Sequence, residues 1–345
     1  MVSGLYLVVV CVTGSALVFR IDLQRALHPQ LFTPTPGRQA DAATIMERVQ
    51  DAFPGDRLSG VDAPTTLRPT YLAYVVQGER FRTVLVDPTT GRVLGELPER
   101  SFIRTLQELH FDLLAGRTGR TVNGVGAIAL LLMCATGLLI WWPGRTNWRS
   151  GLTIDLRRSA RRMTWELHRA AGFWAVAFIA MWAVTGISFA FPREFRQAVN
   201  WLSPISVARA PLSEPARKAG DAPSWRALLE RAQAQQPGQF AARIVTPSTD
   251  TAAFLVMFSD QRPTPAGGAT LEPVYLDQFT GEALKPRAPG ARSAGDVVMA
   301  WVAPLHVGNF SGLGIRVAWA TLGLAPPLLF VTGFFTWWTR VVRRR

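Results

Sequence analysis

Four long runs of apolar residues, none of which contains a charged side chain, constrain this chain more than any other sequence feature. They cover residues 1–19, 122–142, 172–191 and 317–338, and they approach or reach the roughly 20 residues that a helix needs to cross a bilayer. Charged residues make up only 18% of the 345 residues, against about 25% in an average soluble domain. The sequence therefore predicts a multi-pass membrane protein with four transmembrane helices.

The distribution of arginine predicts which helix ends face the cytoplasm. Residues 143–169 carry seven arginines against two acids, and residues 340–345 add four arginines and no acid. Segments 21–120 and 193–314 are close to charge balance, with 12 basic residues each against 12 and 10 acids. Because Lys and Arg accumulate in cytoplasmic loops, both termini and the 143–169 loop are expected in the cytoplasm. Topology thus explains the formal charge of +13, and nucleic acid is not an expected partner.

The two long charge-balanced segments predict small α+β domains on the opposite side of the membrane. Each begins with an apolar pattern of helical period and continues with alternating strands that end in a turn signal. In the first segment the helix covers 41–53 and the strands cover 71–75 and 82–86, followed by the turn sequence DPTTG (87–91). In the second the helix covers 225–234 and the strands cover 241–245, 254–258 and 274–277, with the turn after Asp277.

The chain also repeats itself. Every apolar run contains a Thr-Gly pair, at Thr13-Gly14, Thr136-Gly137, Thr185-Gly186 and Thr332-Gly333. A Leu-His pair precedes the second and fourth of these glycines at the same interval, and a Trp pair follows each at the same interval, Trp141-Trp142 and Trp337-Trp338. This agreement predicts a tandem duplication of helix, soluble domain, histidine and helix. The glycines are expected to allow close helix or cofactor approach, and the Trp pairs to anchor the helices at the membrane interface, with an electron relay as the alternative.

Several sequence motifs together carry a resemblance that covers nearly the whole chain. They are LHFDLLAG (109–116), TGLLIWWPG (136–144), ELHRAAG (166–172), LHVGNFSGLG (305–314), TGFFTWW (332–338) and the strand-turn VLVDPTTGRVLG (84–95). The chain resembles the PepSY-associated transmembrane family of bacterial inner-membrane proteins, which includes siderophore reductases. The resemblance implies a bacterial inner-membrane location, two periplasmic PepSY-like domains, and histidines at helix ends that bind haem iron.

With this resemblance the expected fold is an α-helical four-helix transmembrane bundle with two periplasmic α+β PepSY-like domains. The expected segments are transmembrane helix 1 (1–20), PepSY-like domain 1 (21–105), a histidine-bearing linker with helix 2 (106–142), a cytoplasmic basic loop (143–166), helix 3 (167–192), PepSY-like domain 2 (193–296), a histidine-bearing linker with helix 4 (297–338) and a cytoplasmic basic tail (339–345).

Two of the four histidines occupy equivalent places in the repeat. His110 and His306 both precede apolar helices on the non-cytoplasmic side, where a pseudo-two-fold arrangement would let them face each other. Imidazole is a strong axial ligand of haem iron, and an apolar helical bundle suits a flat macrocycle. We therefore expect His110 and His306 to be bis-histidine ligands of a haem b iron. The alternative is a pair of interfacial histidines that cap the linkers.

The other two histidines have different expected roles. His168 opens the third helix at its cytoplasmic end and is expected to bind a second haem iron. Its repeat counterpart would lie upstream of Met1, so either the chain begins within a longer protein or that site has one protein ligand; one or two haems remain open. His28 follows the first helix within Leu27-His28-Pro29, and we expect it to be a solvated loop residue.

Two classes of function follow from these expectations. The first is a haem-bearing inner-membrane oxidoreductase that passes electrons to a periplasmic ferric chelate such as a ferric siderophore. The glycine-rich pairs Gly124-Val125-Gly126 and Gly312-Leu313-Gly314 follow no strand, so no dinucleotide site is visible and a quinol or cytoplasmic donor would supply electrons. The arginine-rich loop could dock such a donor, although contact with anionic membrane lipid is the favoured explanation. The second class is a non-enzymatic accessory whose PepSY-like domains bind a periplasmic protein or peptide.

Overall fold

Helices form one unit of the chain and an antiparallel sheet forms most of the other. The computed structural model describes residues 2–142, 144, 148–155, 157–205, 210–215, 222–260, 271–285 and 293–342. The helical unit consists of Met1–Arg20, Arg100–Ile205 and Ser293–Arg345, and the sheet unit consists of Ile21–Glu99 and Ser206–Arg292. Arg145 and residues 343–345 lie outside the described residues. Their charges contribute to the predicted topology.

The helical unit contains the predicted membrane-spanning segments. The first of its long apolar helices are α1 (Val2–Leu17), α5 (Gly116–Trp141) and α6 (Ala160–Ala190). Three short helices lie between α1 and α5 in the sequence: α2 (Arg20–Leu27), α3 (Ala42–Ala52) and α4 (Phe102–Asp112). Within the described residues, three spans are long and apolar enough to cross a membrane: Gly116–Trp141, Ala160–Ala190 and Leu313–Val341. A fourth results if α1 and α2 count as one bent span. The prediction of a multi-pass membrane protein is confirmed at this level.

Further helices follow α6 along the chain. In the helical unit they are α7 (Pro192–Leu202), α9 (Ala294–Val307), α10 (Leu313–Leu322) and α11 (Ala325–Trp337), the last of which continues as a π-helical turn over Trp338–Val342. Helix α8 (Trp225–Gln235) belongs to the sheet unit. Pro326 lies at the start of α11, where its missing N–H costs no intrahelical hydrogen bond. The fourth apolar run, predicted as one helix over 317–338, is therefore a span with a break.

Glycines allow the long helices to approach closely. A β-carbon at Gly4 of α1 would lie 2.0 Å from the ring of Phe330 in α11, and one at Gly126 of α5 would lie 2.3 Å from the Tyr6 hydroxyl. By contrast, Leu139 and Ile140 near the end of α5 are 79% and 85% exposed. Small residues at helix contacts and large apolar residues on the outer face are typical of helices packed in lipid.

The two histidine-bearing linkers fold as separate short helices. His110 lies in the last turn of α4, which ends at Leu113 in a left-handed conformation with φ 54°. His306 lies in the last turn of α9, which ends at the left-handed residue Gly308 with φ 73°. The left-handed residue stops each helix and starts the turn into the next one. Both histidines therefore precede the long helices rather than open them.

The sheet unit contains one eight-stranded antiparallel sheet. Its strands are β1 (Arg57–Asp62), β2 (Tyr71–Gln77), β3 (Arg80–Val86), β4 (Val93–Glu96), β5 (Phe240–Val245), β6 (Phe254–Ser259), β7 (Glu272–Leu276) and β8 (Ala283–Leu284). Their spatial order is β4-β3-β2-β1-β5-β6-β7-β8, so β1 and β5 are the neighbours at the centre. The predicted helices over 41–53 and 225–234 are α3 and α8. The two segments expected to be separate α+β domains thus share one sheet.

The core of the sheet unit lies between the two helices and one face of the sheet. Alternate residues of β2, such as Ala73 and Val75, are fully buried against α3, as the strand period requires. Ile45, Met46 and Val49 of α3 and Phe254 and Phe258 of β6 belong to the same cluster. This single cluster draws residues from both halves of the chain.

The two predicted turns after β3 and β7 have the same internal design. The carboxylate of Asp87 accepts hydrogen bonds from the backbone N–H groups of Thr89 and Thr90, each at 2.9 Å, and from that of Thr35 at 2.7 Å. Asp277 accepts equivalent bonds from Phe279, Thr280 and the distant Glu214. Each buried aspartate therefore closes its own turn and fixes a second segment of the chain to it.

Candidate functional site

The imidazole ring of His110 packs on the first helix, α1. The residues that hold a histidine ring on a neighbouring helix are called its seat below. Its Nδ1 atom lies 2.9 Å from the backbone carbonyl oxygen of Val10 and 3.3 Å from Oγ1 of Thr13. A β-carbon at Gly14 would lie 2.7 Å from Cε1 of the same ring, closer than real β-carbon contacts allow. Thr13 and Gly14 thus act together, since the threonine bonds the imidazole and the glycine leaves room for it. The amide of Asn123 donates to the carbonyl oxygens of His110 and Phe111, at 2.8 and 3.0 Å.

His306 is seated in the same manner on α6. Its Nδ1 atom lies 2.8 Å from Oγ1 of Thr185. The indole of Trp182 donates to the backbone carbonyl oxygen of His306 at 3.1 Å, and that of Trp319 donates to Leu305 at 2.6 Å. These bonds satisfy carbonyl groups at the end of α9 that have no helical partner. The ring of Phe189 packs edge-on against the imidazole at 5.1 Å.

Hydrogen-bond direction fixes which nitrogen of each ring carries the proton. The Thr13 hydroxyl donates to the carbonyl oxygen of Val9 at 2.7 Å, and the Thr185 hydroxyl donates to that of Met181 at 2.8 Å. Each hydroxyl has only one proton, so its oxygen accepts the bond from the neighbouring imidazole. We therefore infer that Nδ1 is the protonated nitrogen of His110 and of His306. Each Nε2 keeps its lone pair, and no described residue bonds to it.

The two imidazole rings lie beside each other. Their centroids are 6.2 Å apart and their planes are inclined by 51°. Imidazole nitrogens bond first-row metal ions at about 2 Å, so an ion shared by two rings separates their centroids by roughly 6 Å. Burial lowers the pKa of His110, and burial with the nearby His110 lowers the pKa of His306 to about 3. Both rings are thus neutral at pH 7, which is the form that binds metal.

His168 lies in the first third of α6, at the opposite end of this helix from Thr185, and is held by α11. Its Nδ1 atom lies 3.1 Å from the carbonyl oxygen of Leu329 and 3.0 Å from Oγ1 of Thr332. A β-carbon at Gly333 would lie 3.1 Å from its Cε1 atom. The ring has the same seat as His110, with a threonine, a backbone carbonyl and a glycine. Among the described residues, no ring contact joins His168 to another histidine.

The fourth Thr-Gly pair has the same local geometry. The Thr136 hydroxyl donates to the carbonyl oxygens of Leu132 and Met133, at 2.9 and 3.2 Å, as the other three threonines do on their own helices. Within the described residues, a β-carbon at Gly137 would meet no atom within 4 Å. Thr136 and Gly137 both lie on the exposed face of α5. The threonine thus bonds a histidine in three of the four pairs, and the glycine adjoins the same ring in two of them, at Gly14 and Gly333.

The other residues singled out in the sequence lie apart from this site. His28 is half-buried and precedes a short 3-10 turn over Pro29–Leu31 in the sheet unit. Trp141 stacks on Phe173 with centroids 4.3 Å apart, whereas Trp142, Trp337 and Trp338 are exposed. Among the described residues, no group of three or more His, Cys, Asp and Glu side chains could hold a metal ion.

The role of the threonines was missed by sequence reasoning. The repeated Thr-Gly pairs were recognised, but only the glycines were given a part in close packing. A hydroxyl that caps a carbonyl four residues earlier looks the same in a sequence whether or not a histidine contacts it. The Leu-His pairs precede the second and fourth Thr-Gly pairs in the sequence, whereas the structure bonds His110 to Thr13 and His306 to Thr185, so the spacing gave no signal for these contacts.

A helical unit with three or four candidate membrane spans, a sheet unit and a pair of neighbouring, half-buried histidines define a multi-pass membrane protein with a sheet domain. Residues 1–340 match the family described as PepSY-associated TM region, and the chain belongs to this family. It is also 23% identical over 254 residues to the uncharacterized protein PA4219 of Pseudomonas aeruginosa, a match that covers 68% of this chain. The chain spans 63% of that relative, which is less than two thirds of its length.

Proposed function

We propose that this protein is a haem-binding inner-membrane oxidoreductase that passes electrons to a periplasmic ferric chelate, in the manner of a siderophore reductase. The observation that carries the proposal is the pair of His110 and His306 rings, 6.2 Å apart and brought together from two distant parts of the chain. Each ring donates its Nδ1 proton to a helix and keeps the Nε2 lone pair. A ligand histidine in a metalloprotein normally donates its other nitrogen in this way.

The residues around the pair fit haem better than a small hydrated ion. The flanking side chains are aromatic, with Phe111 packed edge-on at 5.9 Å from His110 and Phe189 at 5.1 Å from His306. The neutral imidazoles of His110 and His306 would hold the haem iron through their Nε2 atoms. When bound, the haem would supply one-electron transfer. The chain itself holds the two ligands, places an aromatic ring beside each and keeps both imidazoles uncharged.

His168 is proposed as a ligand of a second haem iron near the cytoplasmic end. Its seat on Leu329 and Thr332 leaves Nε2 available in the same way. Thr136 and Gly137 on α5 offer a seat of the same design near that end of the spans. One haem near each membrane face would divide the crossing of the bilayer into shorter electron transfers. The number of haem b groups, one or two, is an outcome of the test below.

The proposed orientation puts both termini in the cytoplasm and the sheet unit in the periplasm of a bacterial inner membrane. The arginines of the 143–169 loop and of the C-terminal tail support it, since basic residues accumulate on the cytoplasmic side. The two halves of the sheet unit are proposed to be PepSY-like domains that arose by duplication. Each has one helix and four strands in the same order, and each has its buried turn aspartate, Asp87 and Asp277.

The proposed partners follow from this topology. A ferric siderophore on the periplasmic side would accept one electron, which reduces Fe(III) to Fe(II). The hard oxygen ligands of the siderophore bind Fe(II) less tightly than Fe(III). The electron would come from a membrane quinol or from a cytoplasmic donor. The basic loop and the first turns of α6, where Arg162 and Arg169 both stack on Trp165, would contact anionic lipid or that donor.

A reduced-minus-oxidised optical spectrum of the purified full chain tests the proposal. The expected result is the sharp spectrum of low-spin, six-coordinate haem b, with reoxidation on addition of a ferric siderophore. His110→Ala and His306→Ala are expected to abolish or convert it, and His28→Ala serves as the matched control. A spectrum without haem bands after expression with ample haem would overturn the proposal. The non-enzymatic accessory, with PepSY-like domains that bind a periplasmic protein or peptide, would then be favoured.

A further inference from the structure

The three seated histidines differ in the acceptors that hold their Nδ1 protons. His110 has the carbonyl oxygen of Val10 at 2.9 Å besides Thr13, and His168 has the carbonyl oxygen of Leu329 at 3.1 Å besides Thr332. For His306, Thr185 Oγ1 at 2.8 Å is the one Nδ1 acceptor among the described residues. A backbone carbonyl remains when a threonine is replaced. His306 alone therefore depends on a side chain for its protonation state.

The backbone of His306 is held independently of Thr185. Its carbonyl oxygen accepts from the indole of Trp182, and the preceding carbonyl, of Leu305, accepts from the indole of Trp319. Gly308 then closes α9 with its N–H bonded to the carbonyl oxygen of Pro304 at 2.8 Å. Loss of the Thr185 hydroxyl would thus leave the peptide in place and release only the ring.

Thr185 is well suited to accept this proton. Its side chain is buried, and its hydroxyl hydrogen is shared between the carbonyl oxygens of Met181 at 2.8 Å and Trp182 at 3.2 Å. The oxygen therefore has no proton left to offer to an imidazole nitrogen. If Nδ1 of His306 were unprotonated, its lone pair would point at the lone pairs of the Thr185 oxygen, and no hydrogen bond would join the two atoms. This arrangement therefore favours the His306 tautomer with its proton on Nδ1.

We propose that Thr185 is the positioning residue that fixes His306 as the Nδ1-protonated tautomer, whereas Thr13 and Thr332 share this task with backbone carbonyls. The inference rests on the proposed function in one respect: the fixed tautomer matters because iron needs the Nε2 lone pair. Without Thr185, the proton can move to Nε2, and a protonated nitrogen cannot bind a metal. The other seats keep their tautomer without the threonine.

Haem titration of three variants of the full chain tests the consequence for the site. Thr185→Val removes the acceptor with little change of shape, and we expect haem affinity to fall about 10–100-fold, the usual loss for a residue that orients a ligand. Haem that remains bound is expected to have a higher midpoint potential, because a less polarised imidazole donates less charge to iron. Thr185→Ser should restore both quantities. Thr13→Val, the matched control, should change affinity by no more than a few fold.

Equal effects of Thr185→Val and Thr13→Val, or a failure of Thr185→Ser to restore the affinity, would overturn the inference. A second measurement does not need haem. Solid-state ¹⁵N NMR of histidine-labelled full chain reads the tautomer directly, and His306→Gln assigns the signal. We expect Nδ1–H in the unchanged protein and a mixture with Nε2–H in Thr185→Val.

The two measurements separate the possible failures. A protein that binds no haem but shows His306 as Nδ1–H, dependent on Thr185, contradicts the proposed function and supports the role of Thr185. A protein that binds haem while Thr185→Val leaves both tautomer and affinity unchanged supports the proposed function and contradicts the role of Thr185.

Discussion

The guanidinium of Arg243 donates two hydrogen bonds to the carboxylate of Asp62, at 2.5 Å to Oδ1 and 2.7 Å to Oδ2. The two residues lie directly opposite each other in the β1–β5 pairing, the point where the two halves of the sheet meet. The hydroxyl of Tyr74 adds a bond to Oδ2 of Asp62 at 2.8 Å. Because β1 and β5 pair over only three residue positions, this bidentate ion pair is a substantial part of the connection.

Replacement of this ion pair should loosen the centre of the sheet. We expect Arg243→Gln to cost about 1 kcal/mol, since the Arg243 side chain is half-exposed and its charge is partly screened. Amide hydrogen exchange in β1 and β5 of the full chain should then become about 5-fold faster. The matched control is Arg80→Gln, which breaks the exposed ion pair between Arg80 of β3 and Glu99. It should leave the exchange rates of the β1 and β5 amides unchanged. Equal effects of the two variants would contradict a special role for the Asp62 pair.

The proposed ligands should behave as one unit. We expect His110→Ala and His306→Ala each to cost as much haem binding as the double variant, because either loss destroys the shared site. Optical spectra of the three variants measure this, and His168→Ala should affect a separate haem if one is bound. The alternative is that both histidines cap the linkers. The losses of the two single variants would then be mild and additive, about 1 kcal/mol each, as for lost surface hydrogen bonds.

The glycines of the Thr-Gly pairs should differ in their tolerance of a side chain. Gly14→Ala puts a methyl group 2.7 Å from His110 and should displace that ring, with loss of the spectrum of its haem. Gly333→Ala, at 3.1 Å from His168, should disturb only the cytoplasmic-side site. Gly137→Ala meets no described atom and should stabilise α5 by about 1 kcal/mol through its better helix propensity. A loss of haem with Gly137→Ala as large as that with Gly14→Ala would contradict the specific contact with His110.

Stability of the sheet unit should depend on the charge of Asp87. Burial alone would raise the pKa of this carboxyl, but hydrogen bonds from the backbone N–H groups of Thr35, Thr90 and Thr89 outweigh burial and lower the pKa to about 2. A lowered pKa stabilises the fold above the unfolded value near 4, and that contribution, about 2 kcal/mol, is lost as the pH falls towards 2.

Hydrogen exchange of the β3 and β4 amides, compared at equal pH between the unchanged chain and Asp87→Asn, measures this contribution. The two proteins should differ most above pH 4 and converge as the pH approaches 2. Asp277→Asn should act in the same direction on β7 and β8, since the pKa of Asp277 is also lowered. A difference that stays constant over this range would contradict the argument from ionisation.

Membrane topology can be tested with reporters at the two sides. A reporter fused after Arg345 should read cytoplasmic, because the arginine clusters lie at that end. One inserted at 267–268 should read periplasmic; both points lie outside the described residues. The opposite result at either point would reverse the proposed side of every histidine.

The sequence by itself determined the apolar spans, the helix of each half of the sheet unit, the strands β2, β3, β5, β6 and β7, and the two turn aspartates. These features follow from local periodicity and turn chemistry, which a single segment carries without reference to the rest of the chain. It also identified His110 and His306 as equivalent members of a repeat, and His168 as a candidate ligand whose repeat counterpart would lie upstream of Met1.

Only the tertiary structure decided what depends on contacts between distant segments. The strand β1 has a weak alternating pattern around Gly60, so its pairing with β5, and with it the fusion of two expected domains into one sheet, could not be predicted. The roles of Thr13, Thr185 and Thr332 were hidden for the same reason. A threonine on an apolar helix bonds its own backbone in either case, and only the helix packed against it determines whether an imidazole shares its oxygen.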